Sequence, residues 1–509
     1  MWRQALVFAL CLLSAFVVSQ WDLDRFLTAE AGVDLAHVQQ GRSRIAFEFD
    51  SLRDLISEGA VGADQVRLDA GLLRARLPQG RANLRFNFRG LTLDARRYQN
   101  LSLRIKVSAP TQLMLIFDEP GELEENLVRF DLVAGWNELA LSLADLTWRR
   151  AREMLTAIPI ATEVWGGTGR RVGEFRAYLS GPANVAIALD HLRFLERPGA
   201  ASTDALAKVE WISVEAARLR LKSAVPEPAP TQHTGVLLPL WTDTPERILS
   251  LRDQMRERDA ETLFWPASRD LPADATALPV RSLNGWSAPW WLVALLASAM
   301  LATRLLMRAD TPRKAGLDLM LGLGPLVVLT VGLGIGERPT ASAFAVLLLS
   351  LIYMCSRLEG HALNWRAGAA AWRRPLFPSV AIGLLILAVG FGSAHPAHTE
   401  GERAVLYLPF VVLQQALLLG FLLARAKQLA PASAAAVAAG LFALPHAPNF
   451  ALMIGSAAAA WLWCSAFLID RAPLPVLVSH FLLGMLSVSV LPPQILYSAE
   501  SSLRFFLVH

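Results

Sequence analysis

Four polar side chains lie inside apolar segments near the C-terminal end of this sequence. Gln414 and Gln415 interrupt a run of aliphatic residues, His446 ends a second apolar segment, and His480 lies within a third. Polar side chains are costly in hydrocarbon, so they usually face the interior of a helix bundle and mark a site or a helix contact. Imidazoles can bind a metal or transfer protons, whereas amides only form hydrogen bonds. These residues are the first candidate site.

The motifs around these residues resemble those of the CPBP family, the CAAX-protease and bacteriocin-processing intramembrane proteases. Its members carry Glu-Glu-x-x-x-Arg on one helix, then Phe-x-x-x-His, then His-x-x-x-Asn on a later helix. Phe442 and His446 match the second motif, and His480 matches the first position of the third. The order and spacing are preserved over residues 378–492. The resemblance implies a polytopic helical fold and, in active members, intramembrane peptide hydrolysis.

The sequence departs from this family at the residues that carry the chemistry. Gln414 and Gln415 occupy the two glutamate positions, Leu419 the arginine position and Gly484 the asparagine position. Peptide hydrolysis needs a group that takes a proton from water, and a glutamine amide cannot accept one at any relevant pH. Its carbonyl is also a much weaker metal ligand than a carboxylate. We therefore expect proteolytic activity to be weak or absent.

Two interpretations of the four residues stay open. In the first, Gln414, Gln415, His446 and His480 line a catalytic cavity, with His446 and His480 binding a divalent metal such as zinc. Two ligands leave a zinc site incomplete. Other acidic residues of the membrane part could supply a missing carboxylate, but they lie at span ends or in loops, namely Glu337, Glu359, Glu400, Glu402 and Asp470. In the second, the four side chains form interhelical hydrogen bonds, each contributing on the order of 1 kcal/mol.

Composition divides the chain into a soluble part and a membrane part. Residues 22–285 are rich in Arg, Asp and Glu, whereas apolar runs dominate from Trp286 onward. A membrane span needs about 20 apolar residues. The segments that approach this length are 2–18, 287–307, 315–335, 340–356, 378–394, 404–424, 432–446, 450–470 and 473–492.

The distribution of basic residues predicts the orientation of these spans. Arg and Lys gather after the second, fourth, sixth and eighth spans, whereas the opposite loops carry only Arg338 and Arg403. Cytoplasmic loops are the ones enriched in basic residues. We therefore predict a bacterial-type inner (plasma) membrane protein, in contact with membrane lipid, whose residues 22–285 are extracytoplasmic. Residues 1–21 are predicted to be an anchor or a signal segment, because no clear cleavage site follows the first span.

Short alternating segments fill residues 45–195. Residues 84–89, 101–107, 139–143 and 185–189 each alternate apolar and polar side chains, which is typical of strands with one buried face. Many short strands without long helices favour a β-sandwich. The segments around Trp136 and at 189–194 resemble the late strands of galactose-binding-like jelly rolls. The resemblance implies a jelly roll that binds a glycan or an envelope protein, and Trp136 and Trp165 are candidates either for sugar stacking or for the core.

A second, smaller unit is predicted between the β-sandwich and the membrane. The proline-rich segment 226–230 indicates a linker, Val236–Leu240 and Thr262–Trp265 indicate strands, and Pro245 marks the start of a helix that continues to Arg258. The net charge of +4 is better explained by loop arginines than by a nucleic-acid partner. The pattern assigns no chemistry to this α/β unit.

The sequence therefore predicts a multidomain chain with an extracytoplasmic β-sandwich and a polytopic all-α membrane bundle. The expected parts are residues 1–21 (anchor or signal segment), 40–200 (β-sandwich), 201–285 (α/β unit and linker) and 286–509 (CPBP-like membrane domain with about eight spans). The expected function is that of a proteolytically weak or inactive membrane scaffold that binds an envelope glycan or protein. The alternative is an intramembrane metalloendopeptidase of the CAAX-protease type.

Overall fold

The computed structural model divides the chain into two compact units. The helical unit comprises Met1–Phe26, Leu240–Ser250 and Arg281–Val508, and the β-rich unit comprises Leu27–Pro239 and Leu251–Val280. The structure describes residues 2–506 except 50–54, 70, 87, 89–90, 119–125, 147, 151–164, 166–170, 197–208, 223–232, 268, 270–288, 307–310, 334–339, 360–366, 393–400, 498–499 and 503–504. The predicted linker at 226–230 lies outside the described residues.

The chain begins with a long helix that continues well beyond the predicted first span. Helix α1 (Trp2–Gln39) is apolar in its first half and carries charged residues in its second half. Inside the helical unit, the Phe8 ring stacks on Trp461 with centroids 5.0 Å apart. The Gln20 side chain donates to the Asp243 carbonyl at 2.7 Å and accepts from the Trp241 backbone at 3.0 Å.

The β-rich unit contains two six-stranded sheets. The first sheet has the order β10-β7-β14-β4-β3, with β1 also pairing β14, and the second has the order β11-β9-β8-β13-β5-β2. The strands are β1 (Arg42–Phe47), β2 (Leu55–Val61), β3 (Asp64–Asp69), β4 (Leu72–Leu77), β5 (Arg81–Phe86), β6 (Leu93–Asp94), β7 (Tyr98–Val107), β8 (Thr111–Asp118), β9 (Asn126–Leu132), β10 (Gly135–Ser142), β11 (Arg149–Arg150), β12 (Arg171–Val172), β13 (Glu174–Ser180) and β14 (Val185–Glu196).

Inward-facing side chains of the two sheets meet in one aromatic core. Alternation along each strand places every second residue inside, as in β7, where Leu101, Leu103 and Ile105 are buried. Trp165 packs edge-on against Phe117 of the second sheet, with centroids 5.0 Å apart, and its indole N–H donates to the Tyr98 carbonyl at 2.8 Å. Trp165 is thus a core residue, held both by ring packing and by the hydrogen bond of its indole N–H.

A small parallel sheet follows. Its order is β15 (Val209–Ser213), β16 (His233–Leu238) and β17 (Leu263–Pro266), with helices α2 (Val214–Lys222) and α3 (Pro245–Arg258). Proline suits the first position of α3, because the backbone N–H that it lacks would have no partner at the start of a helix. The α3 bounds agree with the helix expected from the sequence, whereas β15 and α2 have no counterpart in the prediction.

The helical unit contains a series of apolar helices. They are α4 (Trp290–Leu306), α5 (Pro312–Val327), α6 (Ala341–Ser356), α7 (Ala369–Gly392), α8 (Gly401–Gln415), α9 (Leu423–Leu429), α10 (Ala434–Ala443), α11 (Phe450–Asp470) and α12 (Pro473–Val490). Across the described residues, six helices are long and apolar enough to cross a membrane, and three further apolar helices are shorter. The shorter ones are Trp290–Leu306, Ala341–Ser356 and Pro431–His446.

These observations confirm the coarse order of the chain, a β-rich region followed by a helical half with several apolar helices. The jelly-roll topology, the extracytoplasmic placement and the domain boundaries stay predictions. Two π-helical segments, Val328–Leu333 and Ala416–Leu422, interrupt the membrane helices. Such wide turns are rare and are often found at functional sites, and the second one begins directly after Gln415.

Candidate functional site

Gln415 and His480 lie against each other inside the helical unit. Gln415 is the last residue of α8 and His480 lies in the middle of α12, and the Gln415 amide nitrogen is 2.9 Å from Nδ1 of His480. Both side chains are buried, with exposed fractions of 3% and 6%. The His480 ring also stacks on Trp463 of α11, with centroids 4.3 Å apart. Side chains from three helices therefore fix the orientation of this imidazole.

The chemistry of the two groups fixes the protons in this contact. An amide nitrogen can only donate, so Nδ1 of His480 accepts and the neutral ring carries its proton on Nε2. The carbonyl oxygen of Gln415 is buried and has no hydrogen-bond partner among the described residues. Inside a membrane bundle such an acceptor is costly to leave unpaired. Gln415 therefore presents an acceptor, and His480 a donor, to the surrounding space.

His446 approaches the same region through Phe442. The Phe442 ring centroid lies 5.4 Å from that of His446 and 6.3 Å from that of His480. His446 Nδ1 is 3.1 Å from the Phe442 carbonyl, which can only accept, so His446, unlike His480, carries a proton on Nδ1. The two histidines thus lie on one phenylalanine, and Gln415 joins them through its hydrogen bond to His480. The half-buried Gln414 side chain forms no hydrogen bond within the described part of the chain.

The gathered residues do not fit a zinc site. Zinc in proteins is held by three or four histidine, cysteine or carboxylate ligands. No group of three or more such side chains in the described ranges is arranged to hold a metal ion. Two histidines and an amide are too few and too weak as ligands, so we derive no metal-dependent step from this site.

A steric contact accounts for glycine at position 484. A Cβ atom at Gly484 would lie 2.1 Å from the Tyr407 hydroxyl oxygen and 2.8 Å from its Cζ. Distances below 3.0 Å do not occur for real Cβ atoms without movement of the neighbour. The Tyr407 ring therefore occupies the space that a side chain at position 484 would need. At the family's arginine position, Leu419 is buried in the apolar core of the helical unit.

The π-helical turn after Gln415 is held from outside the helix. In a π turn the wider ring displaces a backbone carbonyl from its ordinary partner. Here the Gly420 carbonyl accepts from the backbone N–H of Glu359 at 3.0 Å. The Glu359 carboxylate in turn accepts from Arg425 and, at 3.1 Å, from the Gln428 amide. The segment after α6 thus holds the turn that positions Gln415.

A buried carboxylate that the sequence analysis did not single out lies close to this segment. Asp318 of α5 is fully buried and accepts from the Tyr353 hydroxyl at 2.7 Å, from Arg357 at 3.0 Å and from Arg425 at 2.8 Å. Helices α5, α6 and α9 therefore meet at one ion-pair network, to which Arg357 contributes from the end of α6. Arg357 and Arg425 follow the fourth and sixth predicted spans, and both are partners of this carboxylate rather than free loop charges.

The outer face of the first sheet carries a second candidate site. Trp136 on β10 is 39% exposed, and the Arg104 guanidinium lies 4.5 Å from its ring centroid. Strand register places Trp136 opposite Lys106 and Glu138 opposite Arg104. Arg104 also pairs with Glu138 at 3.2 Å and with Asp190 at 3.3 Å. An exposed indole is therefore surrounded by fixed donors and acceptors, which is a surface that suits a polar, ring-shaped ligand.

Comparisons with known proteins give no family for this chain. No family model matches it, and no curated protein matches it. Among solved structures, the chain is similar to PfGH50B (13% identity, 27% of this chain and 22% of the other, TM-score 0.20). The match thus spans only about a fifth of that protein's length.

Two further solved structures are carbohydrate-binding modules. They are the family 11 module of the cellulosomal cellulase Lic26A-Cel5E of Clostridium thermocellum (12% identity, 30% of this chain and 92% of the other, TM-score 0.22) and a family 30 module (14% identity, 32% and 89%, TM-score 0.20). TM-scores near 0.2 are too low to assign a fold or a ligand to this chain.

Proposed function

We propose that this chain is a membrane protein that binds a glycan of the cell envelope through the outer face of the first sheet, and that its CPBP-like bundle has lost proteolytic activity. The observation that carries the glycan proposal is the exposed indole of Trp136, packed beside Arg104 and opposite Lys106. An indole offers a flat apolar surface, and the charged groups around it can hydrogen-bond to sugar hydroxyls.

The loss of proteolysis is supported by the residues around His480. A water molecule near His480 would meet the amide of Gln415 instead of a carboxylate, and an amide cannot accept the proton of that water. The Tyr407 ring fills the position of the family's asparagine side chain. The bundle then serves to anchor the glycan-binding face to the membrane.

The test of glycan binding uses the full-length protein in lipid nanodiscs on an array of bacterial envelope polysaccharides. We expect wild-type protein and Trp136→Phe to bind, because both keep an aromatic ring, and Trp136→Ala to lose at least tenfold in affinity, about 1.4 kcal/mol. Trp291→Ala, which removes an exposed indole elsewhere, is the matched control and should bind like wild type. Binding that is unchanged in Trp136→Ala contradicts the proposal.

A second candidate function is intramembrane peptide hydrolysis. The observation that favours it is that His446 and His480 both lie beside Phe442, while Gln415 binds His480. The test is incubation of the reconstituted protein with a quenched fluorescent peptide library, with zinc and with a chelator. Cleavage that disappears in both His446→Ala and His480→Ala, at unchanged protein abundance, would support a protease and contradict the scaffold.

A further inference from the structure

A serine, a histidine and an aspartate form a continuous hydrogen-bonded chain on the outer face of the first sheet. Ser102 Oγ lies 3.0 Å from Nε2 of His191, and Nδ1 of the same ring lies 3.0 Å from Oδ2 of Asp190. The aspartate can only accept from the ring, so Nδ1 carries the proton and Nε2 is left to accept from the serine hydroxyl. This is the arrangement in which a hydroxyl is activated as a nucleophile.

A β-bulge makes this arrangement possible. Consecutive residues of a regular strand point to opposite faces, so Asp190 and His191 could not normally lie side by side on one face. The pairing of β14 with β7 shifts register between Leu189 and His191. Both Asp190 and His191 are consequently half-buried on the outer face, while Leu189 and Leu192 are fully buried in the core. Bulges of this kind are over-represented beside active sites, where they redirect a side chain.

The surroundings of the three residues suit their separate roles. Although burial raises it, hydrogen bonds from His191 and Arg104 hold the pKa of Asp190 below its usual value, so this carboxylate is ionised at neutral pH. Strand register places Ser102 opposite Arg193 on β14 and opposite Ala140 on β10. Ala140 is a small, exposed neighbour of Ser102, and the nearby guanidinium groups are paired with carboxylates, Arg193 with Glu48 and Arg104 with Glu138 and Asp190.

We infer that Ser102, His191 and Asp190 form a hydrolytic site for esters, in which Ser102 is the nucleophile, His191 the general base and Asp190 the positioning residue. The Ser102 oxygen attacks the ester carbonyl and its proton moves to Nε2 of His191. The carbon–oxygen bond of the leaving alcohol then breaks, and that alcohol takes the proton from Nε2. Water, deprotonated by the same nitrogen, releases the acid and restores the serine hydroxyl.

The substrate class follows from the neighbourhood of the site, and this step rests on the proposed glycan function. Trp136 and Ser102 lie on adjacent strands, with Trp136 opposite Lys106 and Ala140 opposite Ser102. Four residues along a strand correspond to roughly 13 Å, a distance that a short oligosaccharide can span. A sugar stacked on Trp136 would therefore bring an acyl group of the same chain to Ser102. The substrate class is an O-acylated glycan.

The first experiment does not depend on the glycan. The full-length protein in nanodiscs is treated with a fluorophosphonate probe, which labels activated serines, and the labelled peptide is identified by mass spectrometry. We expect labelling at Ser102 that is absent in Ser102→Ala and lost in His191→Gln. Ser142→Ala, which removes another serine of the same sheet, is the matched control and should label like wild type. Labelling that is absent from wild type, or that persists in Ser102→Ala, overturns the esterase.

The second experiment separates the esterase from the glycan proposal. Hydrolysis of p-nitrophenyl acetate is measured beside release of acetate from an acetylated xylan. Asp190→Asn should lower kcat for both substrates on the order of a hundredfold or more, with KM little changed, because the imidazole loses its oriented tautomer. Trp136→Ala should impair only the polysaccharide reaction. If the protein hydrolyses p-nitrophenyl acetate, but Trp136→Ala releases acetate from xylan as fast as wild type does, the esterase is retained and the glycan substrate is overturned. An unchanged kcat in Asp190→Asn overturns the triad.

Discussion

The Gln415 amide nitrogen lies 2.9 Å from Nδ1 of His480, so an amide holds this buried histidine in place. The contact joins α8 to α12 and fixes the tautomer of the imidazole. It also leaves the Gln415 carbonyl without a partner among the described residues. The pair therefore contributes a helix contact and a polar surface, but no proton acceptor of carboxylate strength.

The first prediction compares the two glutamines. Gln415→Ala should lower the free energy of unfolding by about 0.6 to 1.7 kcal/mol, the range of interhelical hydrogen bonds in membranes. Gln414→Ala is the matched control and should change it less, because Gln414 forms no side-chain hydrogen bond in the described chain. Both are measured by thermal melting of the purified full-length protein in detergent. Equal melting temperatures for the two variants would contradict the role given to the Gln415 contact.

The second prediction concerns Gly484 and Tyr407. Gly484→Ala should destabilise the helical unit, since its new Cβ would lie 2.1 Å from the Tyr407 hydroxyl. Overpacking of this kind costs about 1–3 kcal/mol. Combining it with Tyr407→Ala should recover part of the loss relative to the sum of the two single variants, which a double-mutant cycle on melting temperatures measures. Strict additivity would show that the two positions do not interact.

The contact between position 484 and Tyr407 also limits any attempt to build the complete protease motif into this bundle. Gln414→Glu with Gln415→Glu supplies carboxylates, but Gly484→Asn would still meet the Tyr407 ring. The family motif can therefore be completed only after Tyr407 is replaced by a smaller residue.

The convergence of Gln415, His446 and His480 was within reach of sequence analysis because polar residues in three apolar segments need a common interior. Asp318 was missed for a physical reason. It lies just inside the predicted span 315–335, close to the basic pair Arg313 and Lys314, and this place near the membrane boundary hides that its side chain is buried in protein. Its burial depends on Arg357 and Arg425, which approach from distant parts of the chain. Such pairings have no local signal.

In the β-rich unit, too, the sequence gives a local signal for one feature of the site and none for another. Period-2 alternation separates Trp136 from the inward-facing Leu139 and Leu141, so its place on the outer face could have been predicted. The bulge at Asp190 could not, because an extra residue in one strand is defined only by its partner β7. Without the bulge, a regular alternation assigns Asp190 and His191 to opposite faces.

The third prediction concerns pH and the cross-strand pair of Arg85 and Glu174. The guanidinium of Arg85 donates to the Glu174 carboxylate at 2.7 and 3.0 Å and holds the pKa of Glu174 below its usual value. Because the pKa of Glu174 is lower in the folded than in the unfolded protein, the ion pair stabilises the folded state when the pH is above the unfolded pKa. This contribution is lost as the pH falls through the folded pKa. A partly exposed pair contributes about 0.2–1 kcal/mol.

We therefore expect Glu174→Gln to reduce hydrogen-exchange protection of β5 and β13 more at pH 7 than at pH 3. Comparing variant and wild type at the same pH removes the intrinsic pH dependence of exchange. Asp131→Asn, which removes a more exposed carboxylate on strand β9 of the same sheet, is the control for charge alone. A protection difference that is the same at both pH values would contradict the assigned role of this pair.

The last prediction concerns the ion-pair network at Asp318. Asp318→Asn keeps the shape of the side chain but leaves the Arg357 and Arg425 guanidinium groups buried without their shared carboxylate. Removing one partner of a buried ion pair costs about 3–5 kcal/mol, since the remaining charge is uncompensated. Tyr353→Phe is the matched control because it removes only one hydrogen bond to the same carboxylate, which contributes about 1.5 kcal/mol.

The two variants also distinguish a loss of packing around Asp318 from an effect on the more distant Gln415–His480 contact. Arg425 connects Asp318 to Glu359, and the Glu359 backbone binds the Gly420 carbonyl in the π turn that follows Gln415. If the network holds that turn, Asp318→Asn should weaken the Gln415–His480 contact, which nitrogen chemical shifts of the His480 ring report through its tautomer. Tyr353→Phe should leave those shifts unchanged. Loss of stability in Asp318→Asn with an unaltered His480 tautomer would limit the network to packing of α5, α6 and α9.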